Sequence, residues 1–430
     1  MSLRRVALAA IVACAIPSLS RAQTGPPPLD PADLVEMAVQ RNREFLAVGQ
    51  RIAETAGLLR QAGVRPAPAL EIEQSTGRPL GSHGERTFSI GYFHTIETSG
   101  KRDKRVAVAR ASADAVEADL ADRRRLLALD VKVRYAQALR ERQKLETIRQ
   151  LSETNREYYG VTEVRVRAGD AAPLEGQLFL TELRRVEAQE VVLAGSADRA
   201  MFELRKVVGA PAAEPLALAP WTPPAELDAG LVQLQARALR ERPDLRVLEL
   251  LGAQSAAEEA LAHAEGRPDL TASARYAREH TGFSQLGYDG AGQLVPLRAR
   301  DNILTVGLSV LLFQPKRSQG AIAAAEARSE GARLRREHVA SVARLEVEAA
   351  YRRWQAARAA VEILDRGVIG QSENNLAVLQ QAYVLGQLRV LDVLNEQRRV
   401  IETRLAYLDA QAELFEAFAE LEASVGGSLQ

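Results

Sequence analysis

The chain has one cysteine in 430 residues, Cys14, and it lies in an N-terminal apolar stretch. Arg4 and Arg5 precede the run Val6 to Ile16, and Pro17 and the small-residue pattern Ser20-Arg21-Ala22 follow it, the layout of a secretory signal peptide over residues 1–22. Ile11-Val12-Ala13-Cys14 also has the pattern of a bacterial lipobox, in which Cys14 would become a lipidated N-terminus. Cleavage before Gln23 leaves no disulfide, thiol nucleophile or thiolate metal ligand. It also leaves 53 basic residues against 56 acidic ones. Beyond this stretch there is no run of about 20 apolar residues, which excludes a membrane-spanning helix. Any crossing of a bilayer must use strands.

Aromatic residues are only 5% of the chain, sparse for large globular cores, while Ala, Leu, Glu and Arg dominate as in long-helix proteins. Charge of one sign is not in excess, with 56 basic and 56 acidic residues interspersed along helical faces, so nothing recruits nucleic acid. A Gly-rich phosphate loop and a His-Glu-x-x-His pair are both missing, and neither an enzyme nor a cofactor is expected. The five histidines, His83, His94, His263, His280 and His338, are far apart in sequence. His83 and His280 fall at predicted hairpin tips and read as solvated loop residues rather than a metal site.

What is present is a long alternation of helix and strand. Leu304, Val306, Leu308, Val310 and Leu312 alternate with Thr305, Gly307 and Ser309, the period-2 pattern of a strand with one apolar face. After Phe313-Gln314-Pro315 no proline occurs, and helical spacing continues to Tyr383-Val384-Leu385-Gly386, roughly 100 Å of helix. A second long helix, roughly 90 Å, begins at Gly100-Lys101-Arg102 and runs toward a break at Ala168-Gly169-Asp170. Pro31 to about Val64 reads as one helix, and Pro173 to about Val208 as another. Strands are expected over Leu70 to Ser75, Thr87 to Ile96, Leu270 to Tyr276 and Ile303 to Leu312, with a long second hairpin tip from Arg278 to Arg300.

The pattern occurs twice. Ala38 to Phe45 lies over Ala238 to Leu245 at an offset of 200, as does Pro68-Ala69-Leu70 over Pro268-Asp269-Leu270. Gly100-Lys101-Arg102 matches Pro315-Lys316-Arg317, Asp130 to Tyr135 matches Glu346 to Tyr351, and Gly169 matches Gly386. Two structural repeats of helix, strand pair, long helix and helix are expected over 23–209 and 231–430, joined by a proline-rich connector over 210–230. In the last helix Leu394, Ile401, Leu408 and Phe415 recur every seventh residue, with Leu405, Ala412 and Ala419 between, the seam of a coiled coil.

This plan, the Gly-Lys-Arg after the second strand, and Tyr383-x-x-Gly386 followed by Leu391-Asp392-Val393-Leu394 resemble the TolC family of outer-membrane efflux factors. Glu97-Thr98-Ser99-Gly100-Lys101-Arg102 and Ser318-Gln319-Gly320-Ala321-Ile322 are similar to its CzcC-type heavy-metal cation efflux subgroup. The resemblance implies a mainly α fold with transmembrane β: long antiparallel helices forming an α-barrel in the periplasm, and four strands per chain in a trimeric 12-stranded β-barrel. It implies a homotrimer in outer-membrane lipid, a periplasmic adaptor (membrane fusion) protein and an inner-membrane efflux pump as partners. Multidrug efflux or type I secretion would use the same fold, and a soluble periplasmic coiled-coil scaffold is the alternative of another class.

Both helix turns carry a carboxylate six residues after a glycine, Glu175 after Gly169 and Asp392 after Gly386. In the resembled family the position of Asp392 contributes to an acidic ring at the periplasmic constriction, where the next family acid is Asn395 here. Arg389 is close enough in sequence to offset such a ring. An acid in a helix's first turn also favours the helix dipole by about 0.3–1 kcal/mol, with no channel role required.

Overall fold

The computed structural model describes residues 28–81, 85–220, 222, 227–311, 318–385 and 387–429. The signal-peptide stretch with Cys14, His83, Leu312 to Arg317 and Gly386 lie outside the described residues.

A capping box starts the first helix: the Asp30 side chain accepts from Asp33 N at 2.7 Å, and the Asp33 side chain accepts from Asp30 N at 3.3 Å. The helix expected from Pro31 to about Val64 is two helices, α1 (Pro31–Arg41) and α2 (Arg43–Ala62). They part because Asn42 is extended, with φ −67 and ψ 111, and its side-chain oxygen caps α2 through Glu44 N and Phe45 N. A matching break at Arg242 separates α5 (Leu231–Glu241) from α6 (Pro243–Glu265), and here Pro243 opens the second helix.

The four strands are β1 (Ala69–Thr76), β2 (Arg86–Ile96), β3 (Leu270–Tyr288) and β4 (Leu294–Val310), antiparallel in the order β1-β2-β3-β4. Register fixes the faces, because residues directly opposite one another point the same way. Leu70, Tyr92, Ala274 and Val306 form one row; Ile72, Ile90, Tyr276 and Leu304 form the next. Leu304, Val306 and Leu308 on this face are all more than 70% exposed. On the other face Arg275 bonds Glu71 at 3.1 Å and Glu73 at 3.2 Å, Thr95 meets Thr271, and Ser273 donates to Gly307 O. One face is therefore apolar and exposed, and the other is polar and satisfied within the sheet.

The second hairpin departs from expectation. Arg278 to Arg300 is not a long loop; β3 and β4 stay paired up to Tyr288 and Leu294, and only 289–293 turns. Asp289 stabilises that turn by accepting from Ala291 N and Gln293 N. Arg278, Arg298 and Arg300 interrupt the apolar alternation, and a register shift between Gly282 and Leu286 breaks it again, so period 2 was hidden.

The long helices are α3 (Lys101–Ala168), 68 residues and about 100 Å, α4 (Pro173–Val208), α7 (Gln319–Ile363), α8 (Gly370–Val384) and α9 (Val390–Val425). The second long helix is not regular throughout: Leu364–Ile369 is π-helical between α7 and α8, widening the turn beside Gly367 and Gly370. Along its length α3 packs against α1, α2 and α4 of its own half and against α6 and α9 of the other. The heptad seam of α9 faces this column: Ile401 and Leu405 pack on Ile148 and Val186, and the Phe415 ring stands 5.5 Å from Tyr135.

Two core clusters sit partway along the column. One holds Leu34, Ala38, Val131, Leu204 and Val208; the other holds Leu234, Ala238, Val347, Leu421 and Val425 in matching places. All ten are fully buried. Each Leu stabilises by about 1.5–3 kcal/mol relative to exposure. Beside the first cluster α4 ends on Gly209, φ +76, where an added Cβ would lie 2.7 Å from Arg41 O. Beside the second, α9 ends on Gly426, φ +110, against Arg242. Gly209→Ala is expected to cost about 1–3 kcal/mol, since strain and contact add. Gly195→Ala, within α4 and with no atom within 4 Å of the added Cβ, should be neutral or gain up to about 1 kcal/mol. Thermal unfolding of the two variants in parallel measures the difference.

Candidate functional site

The turn between α3 and α4 is set by Gly169, left-handed at φ 82, which lets Asp170 N reach Arg165 O at 2.9 Å and closes the helix end. Pro173 then opens α4. Between α8 and α9 the chain turns through Leu385 N to Gln381 O and Gln387 N to Ala382 O. An aromatic and aliphatic cluster joins the two turns: Phe179 is buried against Val390 and Leu394, with Tyr158 and Tyr383 around it. Its ring lies 5.9 Å from Tyr158 and 6.5 Å from Tyr383.

The two turn carboxylates do different things. Glu175 accepts a hydrogen bond from the Tyr383 hydroxyl at 3.1 Å, tying the first turn of α4 to the last turn of α8. Burial, and after it the charge of Glu175, pushes the Tyr383 phenol above its ordinary range. Asp392 instead caps its own helix, accepting from Arg389 N at 3.3 Å. Its side chain is exposed, as are Arg389 and Asn395 one turn on. The cluster around Phe179 brings the two turns, and with them both acids, to the same end of the molecule.

Sequence reasoning missed the ion cluster behind this tip. Glu182, its side chain 4% exposed, binds Arg185 Nη2 at 2.5 Å and Arg398 Nη2 at 2.6 Å, linking α4 to α9. Burial opposes its ionisation, and the two guanidinium groups outweigh burial, so its carboxyl sits below the ordinary range. The available signal was a carboxylate within the apolar stripe Phe179, Leu183 and Val186, at helical spacing.

At the opposite end of the column, Glu97 to Arg102 forms a corner. Ser99 and Gly100 both adopt positive φ, 61 and 65, to bring β2 into α3. Lys101 Nζ, almost buried, reaches Asp269 Oδ1 and Arg267 O, each at 2.8 Å, and Thr98 Oγ1 donates to Pro268 O. Glu97 pairs with Arg105. This motif thus clamps the strands of one half to those of the other. Among the described residues no group of three or more His, Cys, Asp or Glu side chains could hold a metal ion, and no helix is long and apolar enough to cross a membrane.

Long helices carry an open four-stranded sheet that is apolar and exposed on one face, the architecture of a helical column with a sheet at one end. The chain belongs to the outer membrane efflux protein family, whose sequence model matches residues 34–210 and 234–427. Solved structures of the same fold include CusC, 18% identical over 93% of this chain and 92% of that one, with a TM-score of 0.72. The open state of the Neisseria gonorrhoeae MtrE outer membrane channel is 18% identical, over 93% of this chain and 89% of that one, also with a TM-score of 0.72. VceC from Vibrio cholerae is 20% identical over 93% of this chain and 97% of that one, with a TM-score of 0.68. No curated sequence gives a significant match.

Glu182→Gln is expected to lose about 1.5–3 kcal/mol at neutral pH, the worth of hydrogen bonds to a charged group. Because the folded carboxyl is depressed, that contribution is complete above the ordinary value of 4.5 and disappears as pH falls through the lower folded one. Urea unfolding of wild type and variant at pH 7 and pH 3 should show the gap closing at the acid end.

Proposed function

We propose that three copies of this chain close their open sheets into one 12-stranded barrel in the outer membrane and extend their helices as a periplasmic tunnel. In this reading the trimer is a passive exit duct, reached by an inner-membrane efflux pump through a periplasmic adaptor. The observation that carries it is the sheet: β1 and β4 are free edges, and one face exposes Leu70, Ile72, Tyr92, Leu304, Val306, Leu308 and Val310. Free edges are not tolerated in lipid, and four strands cannot close alone. A soluble scaffold would have no use for that exposed apolar face.

Heavy-metal cations are the proposed cargo, supported by the similarity of Glu97 to Arg102 and Ser318 to Ile322 to the CzcC-type subgroup. Organic compounds would pass through the same duct, since cargo choice lies with the pump. At the periplasmic end, exposed Asp392, repeated by threefold symmetry, forms an acidic constriction that attracts cations and resists collapse. Arg389 moderates it. Glu175 is assigned the separate role of bracing the tip through Tyr383.

Leu308→Arg, at a lipid-facing midplane position, should cost about 2–4 kcal/mol and deplete the protein from outer membrane, whereas Ser309→Arg should insert normally. Membrane fractionation with a trimer assay in detergent reads the result, and the reverse pattern would put the opposite face toward lipid. For the gate, Asp392→Ala should change single-channel conductance and cation selectivity in planar bilayers. Wild-type conductance and selectivity in that variant would leave Asp392 as a helix cap only.

A further inference from the structure

Above the apolar rows, the lipid-side face of the sheet changes character. Phe88, Arg278 and Asn302 form the next row after Ile90, Tyr276 and Leu304; Arg86, His280 and Arg300 follow, and then Gly282 with Arg298. Four guanidinium groups from three adjacent strands thus share one face. At about 3.4 Å per residue and 4.8 Å per strand, they cover about 14 Å along the sheet and about 10 Å across it. Arg86, Arg278, Arg298 and Arg300 are all exposed, and none has an ion-pair partner among the described residues. The nearest strand acids, Glu279 and Asp301, stand one residue off this register and hence on the opposite face. Four like charges in neighbouring rows of one face repel one another unless an anion lies between them.

Its position is specific. Below it lies the exposed apolar band that ends at Leu304; above it, past the register shift, Leu286, Tyr288 and Leu294 of the ribbon are exposed again. A cationic belt between two apolar patches complements a lipid with anionic groups at the root of its acyl chains. The β3–β4 ribbon, which continues beyond the last β1–β2 pair, Thr76 with Arg86, supplies three of the four arginines. Guanidinium groups bind phosphate oxygens in bidentate fashion and carry more binding energy there than a neutral donor.

We propose that Arg86, Arg278, Arg298 and Arg300 form a binding site for the phosphate groups of a multiply phosphorylated glycolipid in the outer leaflet. The site rests on the barrel reading above. It would anchor the ribbon against the membrane surface and fix the depth of the barrel.

The test uses the full-length protein purified as its native oligomer in detergent, with bisphosphorylated lipid A, enzymatically dephosphorylated lipid A and inorganic phosphate as probes in native mass spectrometry. Wild type should retain the phosphorylated lipid roughly tenfold or more over the dephosphorylated one, and Arg278→Ala/Arg300→Ala should lose that preference. Arg335→Ala/Arg336→Ala, exposed on α7 and remote in sequence from the sheet, is the control and should keep it. Equal retention of both lipids by wild type overturns the proposal without recourse to any variant. So does displacement by inorganic phosphate at equal concentration, which would indicate a simple anion site. Retention of neither lipid by a chain that also fails to insert into bilayers would sink the barrel reading and the proposal with it. Retention of neither by a chain that inserts sinks the proposal alone.

Discussion

Backbone polar groups along the two free edges of the sheet impose the governing constraint. Each N–H and C=O facing outward from β1 or β4 needs a partner, and lipid supplies none. Within one chain the order β1-β2-β3-β4 leaves both edges open while one face carries Leu304, Val306 and Leu308 into the surroundings. The other face has already spent its polar groups internally, through Arg275 with Glu71 and Glu73. Such a sheet suits neither a soluble core nor an isolated existence in a membrane, because its apolar face and its two open edges make opposite demands on the surroundings. The corner at Lys101 and Asp269 joins the ends of β2 and β3, so the strands of both halves of the chain enter one sheet.

Along the helices, the recurring problem is how to lay two short helices end to end beside one long helix without losing the backbone groups at the joint. Asn42 and Arg242 solve it differently at equivalent places. Asn42 caps α2 with its oxygen and gives its amide hydrogen to Val207 O at 2.8 Å, joining α4 to α2. Arg242, 5% exposed, bonds Asp244, Glu346 and Ser424 O, and burial works against its charge while the carboxylates hold it. In both joints the arriving helix ends on a glycine at positive φ, Gly209 or Gly426, because a side chain there would meet the partner's backbone.

The tip shows similar divergence from a common plan. Residues six places after each turn glycine are both acids, yet Glu175 is committed to Tyr383 whereas Asp392 remains exposed beyond its capping bond. Behind them Glu182 with Arg185 and Arg398 ties α4 to α9. Losing Glu182 leaves two exposed guanidinium groups that water can serve, while losing either arginine leaves a buried carboxylate with half its support. The tip is therefore pinned by one aromatic cluster and one ionic one, each drawing on both helical hairpins.

Much of this was legible from local signals. Proline, glycine and the change from period 2 to period 3.6 marked α3, α4, β1, β2 and the Gly169 turn, because helix ends and turns are local events. The offsets between halves located residues that occupy matching places in the two cores. What the sequence left hidden depends on partners distant along the chain. The breaks at Asn42 and Arg242 follow from joints with α4 and α9, and the π-helical segment at Leu364–Ile369 interrupts a pattern that looks uninterrupted locally. The ribbon to Tyr288 was masked by arginines whose shared face becomes visible only once register pairs Arg86 with His280 and Arg300. Helical and strand periodicities determined by themselves the type and order of the main elements, because both are set by neighbours along the chain. Only the tertiary structure decided which charges meet, since an ion pair such as Glu182 with Arg398 joins residues 216 positions apart and no local spacing encodes it.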